Sequence, residues 1–170
     1  MRVLIYGFGA YRQFRDNITA RIIKSLPKTA SLITEIFPVR FQRRQFIAAL
    51  KRHRPDIILG LGQSSRKQID VETQARNRRR AGKIDELRPI FRDRPKSLPA
   101  TLKIRAGRSV RSSNDAGDYV CNYSMYVLLD AIVRQRRKVQ FGFIHIPHDW
   151  DLEKAVGLIR KVLRQCRRPS

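Results

Sequence analysis

The run Pro55-Asp56-Ile57-Ile58-Leu59-Gly60-Leu61-Gly62 decides the fold. It is apolar without alternation, too short for a helix, opened by proline and closed by glycine. Such a run suits a strand buried on both faces, the kind found at the centre of a parallel sheet. Working outward, Val3 to Tyr6 reads as another buried strand ending at Gly7, and Leu32 to Phe37 as one stopped by Pro38. Val139 to Ile146, closed by Pro147, is a fourth. Helical spacing lies between them. A helix starts near the N-cap type Asn17, with Ile18, Ile22, Ile23 and Leu26 on one face. Phe46, Ile47 and Leu50 mark a second. Met125, Leu128, Leu129, Ile132 and Val133 mark a third, beginning near Cys121. Leu152, Val156, Ile159 and Leu163 stripe a fourth, with Lys154, Lys161, Arg164 and Arg168 largely off the stripe. This alternation predicts an α/β fold, a mostly parallel sheet covered on both faces, in a single domain over residues 1–170. From Arg76 to Pro95 there is no clean period, which predicts a connection with one short helix. Leu98-Pro99 and the basic segment to Arg111 read clearly neither as strand nor as helix.

A chain of 170 residues that is 42% apolar can bury a sizeable core, so wholesale disorder is excluded. The charge is unusual: 37 Lys and Arg against 14 acids, a formal +23. That field attracts nucleic acid and acidic peptides and works against self-association, without excluding an oligomer. A basic surface with no dedicated partner accounts for it equally well. The clusters Arg78-Arg79-Arg80 and Arg136-Arg137-Lys138 lack interleaved aromatics or a nucleic-acid module. Two cysteines form no disulfide framework and fit a reducing cytosol. The apolar run at the N-terminus is too short for a signal peptide, and nothing approaches the ~20 residues that span a bilayer. The expectation is a cytoplasmic protein with no membrane contact.

Chemistry concentrates in two segments. Ser113-Asn114-Asp115-Ala116-Gly117-Asp118-Tyr119-Val120-Cys121-Asn122 places a cysteine just after a small-residue turn, at the head of a helix. A thiol there meets unpaired N–H groups and the positive end of the helix dipole, both of which favour a thiolate. The plainer reading is a buried structural cysteine. Gly142-Phe143-Ile144-His145-Ile146-Pro147 puts a histidine at the carboxyl end of a buried strand, where ligands of α/β sheets gather. A Cys–His couple needs a third group to orient the imidazole. Glu72, Asp115, Asp118 and Asp149 all qualify, and spacing does not choose among them. His53 reads as surface, His148 as loop and Cys166 as incidental. Gly7-Phe8-Gly9-Ala10-Tyr11-Arg12 has Arg where a dinucleotide fingerprint has its third glycine, and is rejected as one. Gly60-Leu61-Gly62-Gln63-Ser64-Ser65-Arg66 resembles a nucleophile elbow around Ser64, but Arg66 stands at the closing glycine, which argues against a serine hydrolase.

Taken together, these segments resemble the pyroglutamyl peptidase I family, also called pyrrolidone carboxyl peptidases. Gly7-Phe8-x-x-Tyr11 followed by Asn17 is similar to the family's Gly-Phe-x-Pro-Phe-Gly-Gly…Asn. Pro55-Asp56-Ile57-Ile58 with Gly62-Gln63 resembles its Pro-Asp strand and Gly-Gln turn, and Glu72-Thr73-Gln74-Ala75-Arg76-Asn77 its Glu-Arg-Val-Ala-x-Asn. Leu98-Pro99 has a counterpart. The cysteine and histidine segments are the longest and most specific matches.

The resemblance implies a three-layer α/β/α fold, no metal or cofactor, and a catalytic triad of Cys121, His145 and Glu72. It implies removal of N-terminal pyroglutamate from peptides through a thioester. It places Phe8 and Tyr11 as ring-stacking walls, Tyr119 and Val120 at further pocket positions, and Gln63 in a turn presenting backbone groups to the lactam. Lys83 is the position considered for the family's extra arginine near the site. The chain departs from the pattern at Ala10, at Arg12-Gln13, in the short Gly62–Arg66 turn, at Arg76 and in the compressed basic stretch from Arg78 to Arg111. These departures motivate the alternative: a divergent member without pyroglutamyl peptidase activity that binds polyanions or takes another acyl substrate.

Overall fold

The computed structural model describes residues 1–11, 16–82, 84–105, 107 and 110–166. Strand β1 (Val3–Phe8) leads to helix α1 (Ile18–Lys24), β2 (Leu32–Phe37), α2 (Arg43–His53) and β3 (Ile57–Ser64). Four short strands follow, β4 (Ile69–Glu72), β5 (Gln74–Arg76), β6 (Ser97–Pro99) and β7 (Val110–Ser113). Helix α3 (Val120–Arg134), β8 (Gln140–Pro147) and α4 (Leu152–Cys166) complete the order.

Six strands form one sheet in the order β2-β1-β3-β8-β4-β7. The first four are mutually parallel, with Val3 beside Ile57 and Ile57 beside Gln140. Strand β4 runs antiparallel to β8, placing Asp70 opposite His145 and Glu72 opposite Phe143, and β7 runs parallel to β4. The sheet is therefore mostly parallel, as expected. The central strands are buried on both faces, which is why they read as unbroken apolar runs.

Alternate residues of each strand enter two separate cores. Leu4, Tyr6, Ile58, Phe141 and Phe143 pack with residues of α2 and α3, including Phe46, Leu50, Met125 and Leu129. Val3, Ile5, Leu59, Leu61, Ile144 and Ile146 pack with residues of α1 and α4, including Ile22, Ile159 and Val162. Three layers result, with helices on both faces. Fully burying each such side chain stabilises the fold by roughly 1.5–3 kcal/mol.

Asn17 starts α1 as expected, its Oδ1 accepting from the Thr19 amide at 3.0 Å. The short helix expected between Arg76 and Pro95 is absent among the described residues. That stretch is irregular because side chains organise it rather than a ladder. Asn77 Nδ2 donates to the Phe91 carbonyl at 2.8 Å, and its Oδ1 accepts from Ile90 and Phe91. The Leu98-Pro99 segment is strand β6, paired antiparallel with β5 in a two-stranded ribbon. No helix among the described residues is long and apolar enough to cross a membrane.

Candidate active site

The turn before α3 is built by its own side chains. Asp115 Oδ1 accepts from the Gly117 amide at 3.0 Å, and Gly117 has φ +82°, a left-handed conformation that favours glycine. The chain then enters α3 through Tyr119, whose side chain makes no capping bond to the first-turn amides. Cys121, the second residue of the helix, is half-buried among those amides. Three further contacts fix this turn. Ser124 Oγ donates to the Cys121 carbonyl at 2.8 Å and lies 2.9 Å from the Tyr6 hydroxyl on β1. Asn122 Nδ2 donates to the carbonyls of Arg76 and Arg78, and its Oδ1 accepts from the Arg76 amide, all at 2.8 Å.

His145 is buried near the carboxyl end of β8, directly beside Gly62 of β3. A Cβ at residue 62 would lie 2.6 Å from the imidazole Cδ2 and 2.7 Å from Nε2, so glycine makes room for the ring. Gly60 makes room for Phe143 and Tyr6 in the same way. The Gly60-Leu61-Gly62 spacing thus belongs to a strand, not to an elbow, and Gln63 lies within β3 rather than in a turn.

His145 Nδ1 lies 2.7 Å from Glu72 Oε1, and the Cys121 side chain is the other group that interacts with the imidazole. With Nδ1 engaged by Glu72, Nε2 is the ring nitrogen left to exchange a proton with a thiol. Burial opposes charge on the imidazole, but the bonds to Cys121 and Glu72 outweigh it and raise its pKa to about 9. Burial likewise disfavours the Glu72 carboxylate, yet its hydrogen bond with His145, the imidazolium charge, Ser113 and Arg66 together hold its pKa below the usual value. The other candidate acids are engaged elsewhere or exposed. Asp115 pairs with Arg78 at 2.8 Å, Asp118 pairs with Arg80 at 3.0 Å, and Asp149 lies exposed in the turn after β8.

The remaining expected residues divide. Tyr11 and Tyr119 come together, ring centroids 5.3 Å apart, and the Tyr119 hydroxyl donates to that of Tyr11. Phe8 is only 2% exposed, its ring edge-on to Tyr6, and Val120 is equally buried. Gln63 turns its side chain to α1, where Oε1 accepts from the Ile18 amide at 3.0 Å. Lys83 lies outside the described residues. Sequence reasoning missed Phe41, whose ring meets Tyr119 edge-on at 5.1 Å and Tyr123 at 5.2 Å, because it lies in a connection with no period. It also missed Arg66 and Asp70 beside Glu72, although Asp70 and Glu72, two apart on one strand, necessarily share a face. Among the described residues no group of three or more His, Cys, Asp or Glu side chains is placed to hold a metal ion.

The pyroglutamyl peptidase family model matches residues 1–152. The chain belongs to the pyroglutamyl peptidase family. Cys121, His145 and Glu72 all fall inside the matched region. The pyrrolidone-carboxylate peptidase of Thermococcus onnurineus is 33% identical over 176 residues, an alignment that covers 91% of this chain and 88% of the relative. That of Alkaliphilus oremlandii is 28% identical, covering 100% of this chain and 85% of the relative. The crystal structure of pyroglutamyl peptidase I from Bacillus amyloliquefaciens superposes with TM-score 0.85 at 26% identity, covering 95% of this chain and 92% of that one. A mutant pyrrolidone carboxyl peptidase from the hyperthermophile Pyrococcus furiosus gives TM-score 0.86 at 26% identity, covering 96% and 97%. The match at this coverage sets the compressed middle of this chain within the family fold.

Proposed function

We propose that this chain is a cysteine omega-peptidase that hydrolyses the amide bond after an N-terminal pyroglutamyl residue of peptides. The observation that carries the reading is the 2.7 Å bond between His145 Nδ1 and Glu72, with the other face of the imidazole on Cys121 at the head of α3. In this reading His145 holds the thiol proton, and the Cys121 sulfur attacks the carbonyl carbon joining the pyroglutamyl ring to the next residue. The carbonyl electrons move onto oxygen, and the uncapped amides at the start of α3, that of Cys121 among them, stabilise the oxyanion. Losing one such donor costs about 10²–10³-fold in rate. Collapse of the tetrahedral adduct breaks the C–N bond, and the imidazolium gives its proton to the departing amine. Water, deprotonated by His145, then attacks the thioester. The C–S bond breaks, pyroglutamate leaves, and the proton returns to the Cys121–His145 couple. Glu72 keeps Nδ1 protonated and the ring oriented throughout.

The paired rings of Tyr11 and Tyr119, with Phe41 behind, supply apolar faces for a flat, uncharged lactam. Phe8 and Val120 lie in the core against which Phe41 and Tyr119 pack, and Gln63 holds the start of α1. The free thiols fit a reducing cytosol. The +23 charge supports a non-specific affinity for polyanions that accompanies the peptidase activity and weakens steeply as salt rises.

The test is release of aminomethylcoumarin from its pyroglutamyl amide. Wild type turns it over, and Cys121→Ala does not. A folded wild-type protein without turnover refutes the reading.

A further inference from the structure

Behind Glu72 lies a second buried carboxylate. Asp70 is fully buried, sits opposite His145 in the β4–β8 register and shares a strand face with Glu72. Arg111 grips it, with Nε 2.7 Å from Oδ1 and Nη2 3.1 Å from Oδ2. Arg66, from the connection between β3 and β4, also reaches it, Nη1 lying 2.7 Å from Oδ2. The same Nη1 lies 3.1 Å from Glu72 Oε1, the oxygen that meets His145, and 3.3 Å from Ser113 Oγ. Arg66 Nη2 donates to the Asp115 carbonyl, where the turn into Cys121 begins. One guanidinium therefore touches both the acid and the segment that delivers the nucleophile.

We infer that Arg66 is a positioning residue of this site, holding Glu72 ionised and aimed at His145, with Asp70 as the anchor that fixes Arg66. The inference rests on the reading that Cys121, His145 and Glu72 carry the chemistry. Asp70 does not need Arg66 for its own neutralisation, since Arg111 already meets both its oxygens. Glu72 does need it. The charged and titratable groups around its carboxylate are Asp70 on its own strand, Arg66 from the preceding connection, Arg111 from β7 and His145 from β8, with Cys121 beyond the imidazole. Arg66 is the fixed cation among them that touches Glu72 directly. Without it two carboxylates share a buried face, and one of them protonates more easily. The guanidinium fork is what lets one group serve Asp70, Glu72 and a backbone carbonyl together.

The experiment is Arg66→Gln in a Cys166→Ser background, with two readouts against pH. One is kcat and KM on the pyroglutamyl coumarin amide, and the other is the rate of iodoacetamide alkylation at Cys121. We expect kcat to fall about 10-fold or more with KM within about twofold. The acid limbs of both profiles should move up by about one pH unit. Added guanidinium ion should restore part of the rate to Arg66→Ala. Unchanged kcat and unchanged limbs in a variant that keeps its circular dichroism and Tm overturn the inference. If Arg66→Gln does not fold, Arg66→Lys serves. It keeps the charge but not the fork, so kcat should fall with the limbs in place, and wild-type kcat would overturn the proposal. The alkylation arm separates the two claims. A shifted limb with no coumarin release sinks the substrate reading alone, whereas normal release with unmoved limbs sinks the role of Arg66 alone.

Discussion

Gly62→Ala should disarm the site by steric displacement of one ring. The added Cβ would stand 2.6 Å from His145 Cδ2, 2.7 Å from Nε2 and 2.7 Å from Phe143 Cε1. Carbon contacts settle at about 3.5–4.0 Å, so the imidazole has to retreat by about 1 Å. It has nowhere to go without loss, being 5% exposed and bonded to Glu72 at 2.7 Å. A shift of that size carries the bond beyond the roughly 3.2 Å limit for a good hydrogen bond and draws Nε2 from the thiol. Misplacement of a catalytic group by about 1 Å costs about 10²-fold, and overpacking a core costs about 1–3 kcal/mol. Gly60→Ala is the matched comparison. Its Cβ would meet Phe143 at 2.4 Å and Tyr6 at 2.7 Å, a similar clash in the same strand that reaches the imidazole only at second hand, through the Phe143 ring packed edge-on to it at 5.1 Å. Coumarin release gives kcat, and scanning calorimetry gives Tm. Both variants should lose stability, and Gly62→Ala should lose far more activity. A folded Gly62→Ala with kcat within about threefold of wild type refutes the reasoning.

Glu72→Gln should lower kcat by about 10²-fold or more, because the amide no longer stabilises the imidazolium. It should also lower the pKa of His145, read by NMR of the ring protons. Because the His145 pKa is raised from 6.5 to about 9 on folding, its contribution to stability is fully present below pH 6.5 and lost as pH rises through about 9. That loss, on the order of a few kcal/mol, should appear as a falling Tm across this window, and the fall should flatten in His145→Asn. Asp70 acts with the opposite sign, since burial works against its charge but its two arginines outweigh burial and hold its pKa below 3.8. Its contribution is present above that value and is lost on acidification, so Asp70→Asn should blunt the acid limb of a Tm profile. Gly157 lies mid-helix in α4 with open space around a would-be Cβ, so Gly157→Ala should stabilise by about 0.5–1 kcal/mol in a denaturant titration.

The layers were legible because local pattern encodes them. The buried runs at Val3, Ile57 and Phe141 and the apolar stripes of α1 and α4 report burial directly. The head of α3 was legible from the glycine turn before Cys121. The reading stopped where side chains reach across the chain. Arg66 looked like a missing glycine because its partners, Ser113 and Asp115, lie 47 and 49 residues away. Glu72 could not be separated from Asp115 on spacing, since its partner His145 lies 73 residues on. The resemblance implied Glu72, whose carboxylate lies 2.7 Å from His145 Nδ1. The stretch after Arg76 lacked period because Asn77 and Asn122 shape it by binding backbone, which imposes no repeat on the residues between.

The hydrogen-bonded line from the Tyr6 hydroxyl through Ser124 to the Cys121 carbonyl spans 118 residues of chain. It ties β1 to the turn that holds the thiol, and His145 lies later still in the chain. A chain still on the ribosome, or one opened locally, therefore carries an ordinary cysteine with no base beside it. The contacts of that turn with β1 and with His145 are therefore complete only once β8 has joined the sheet.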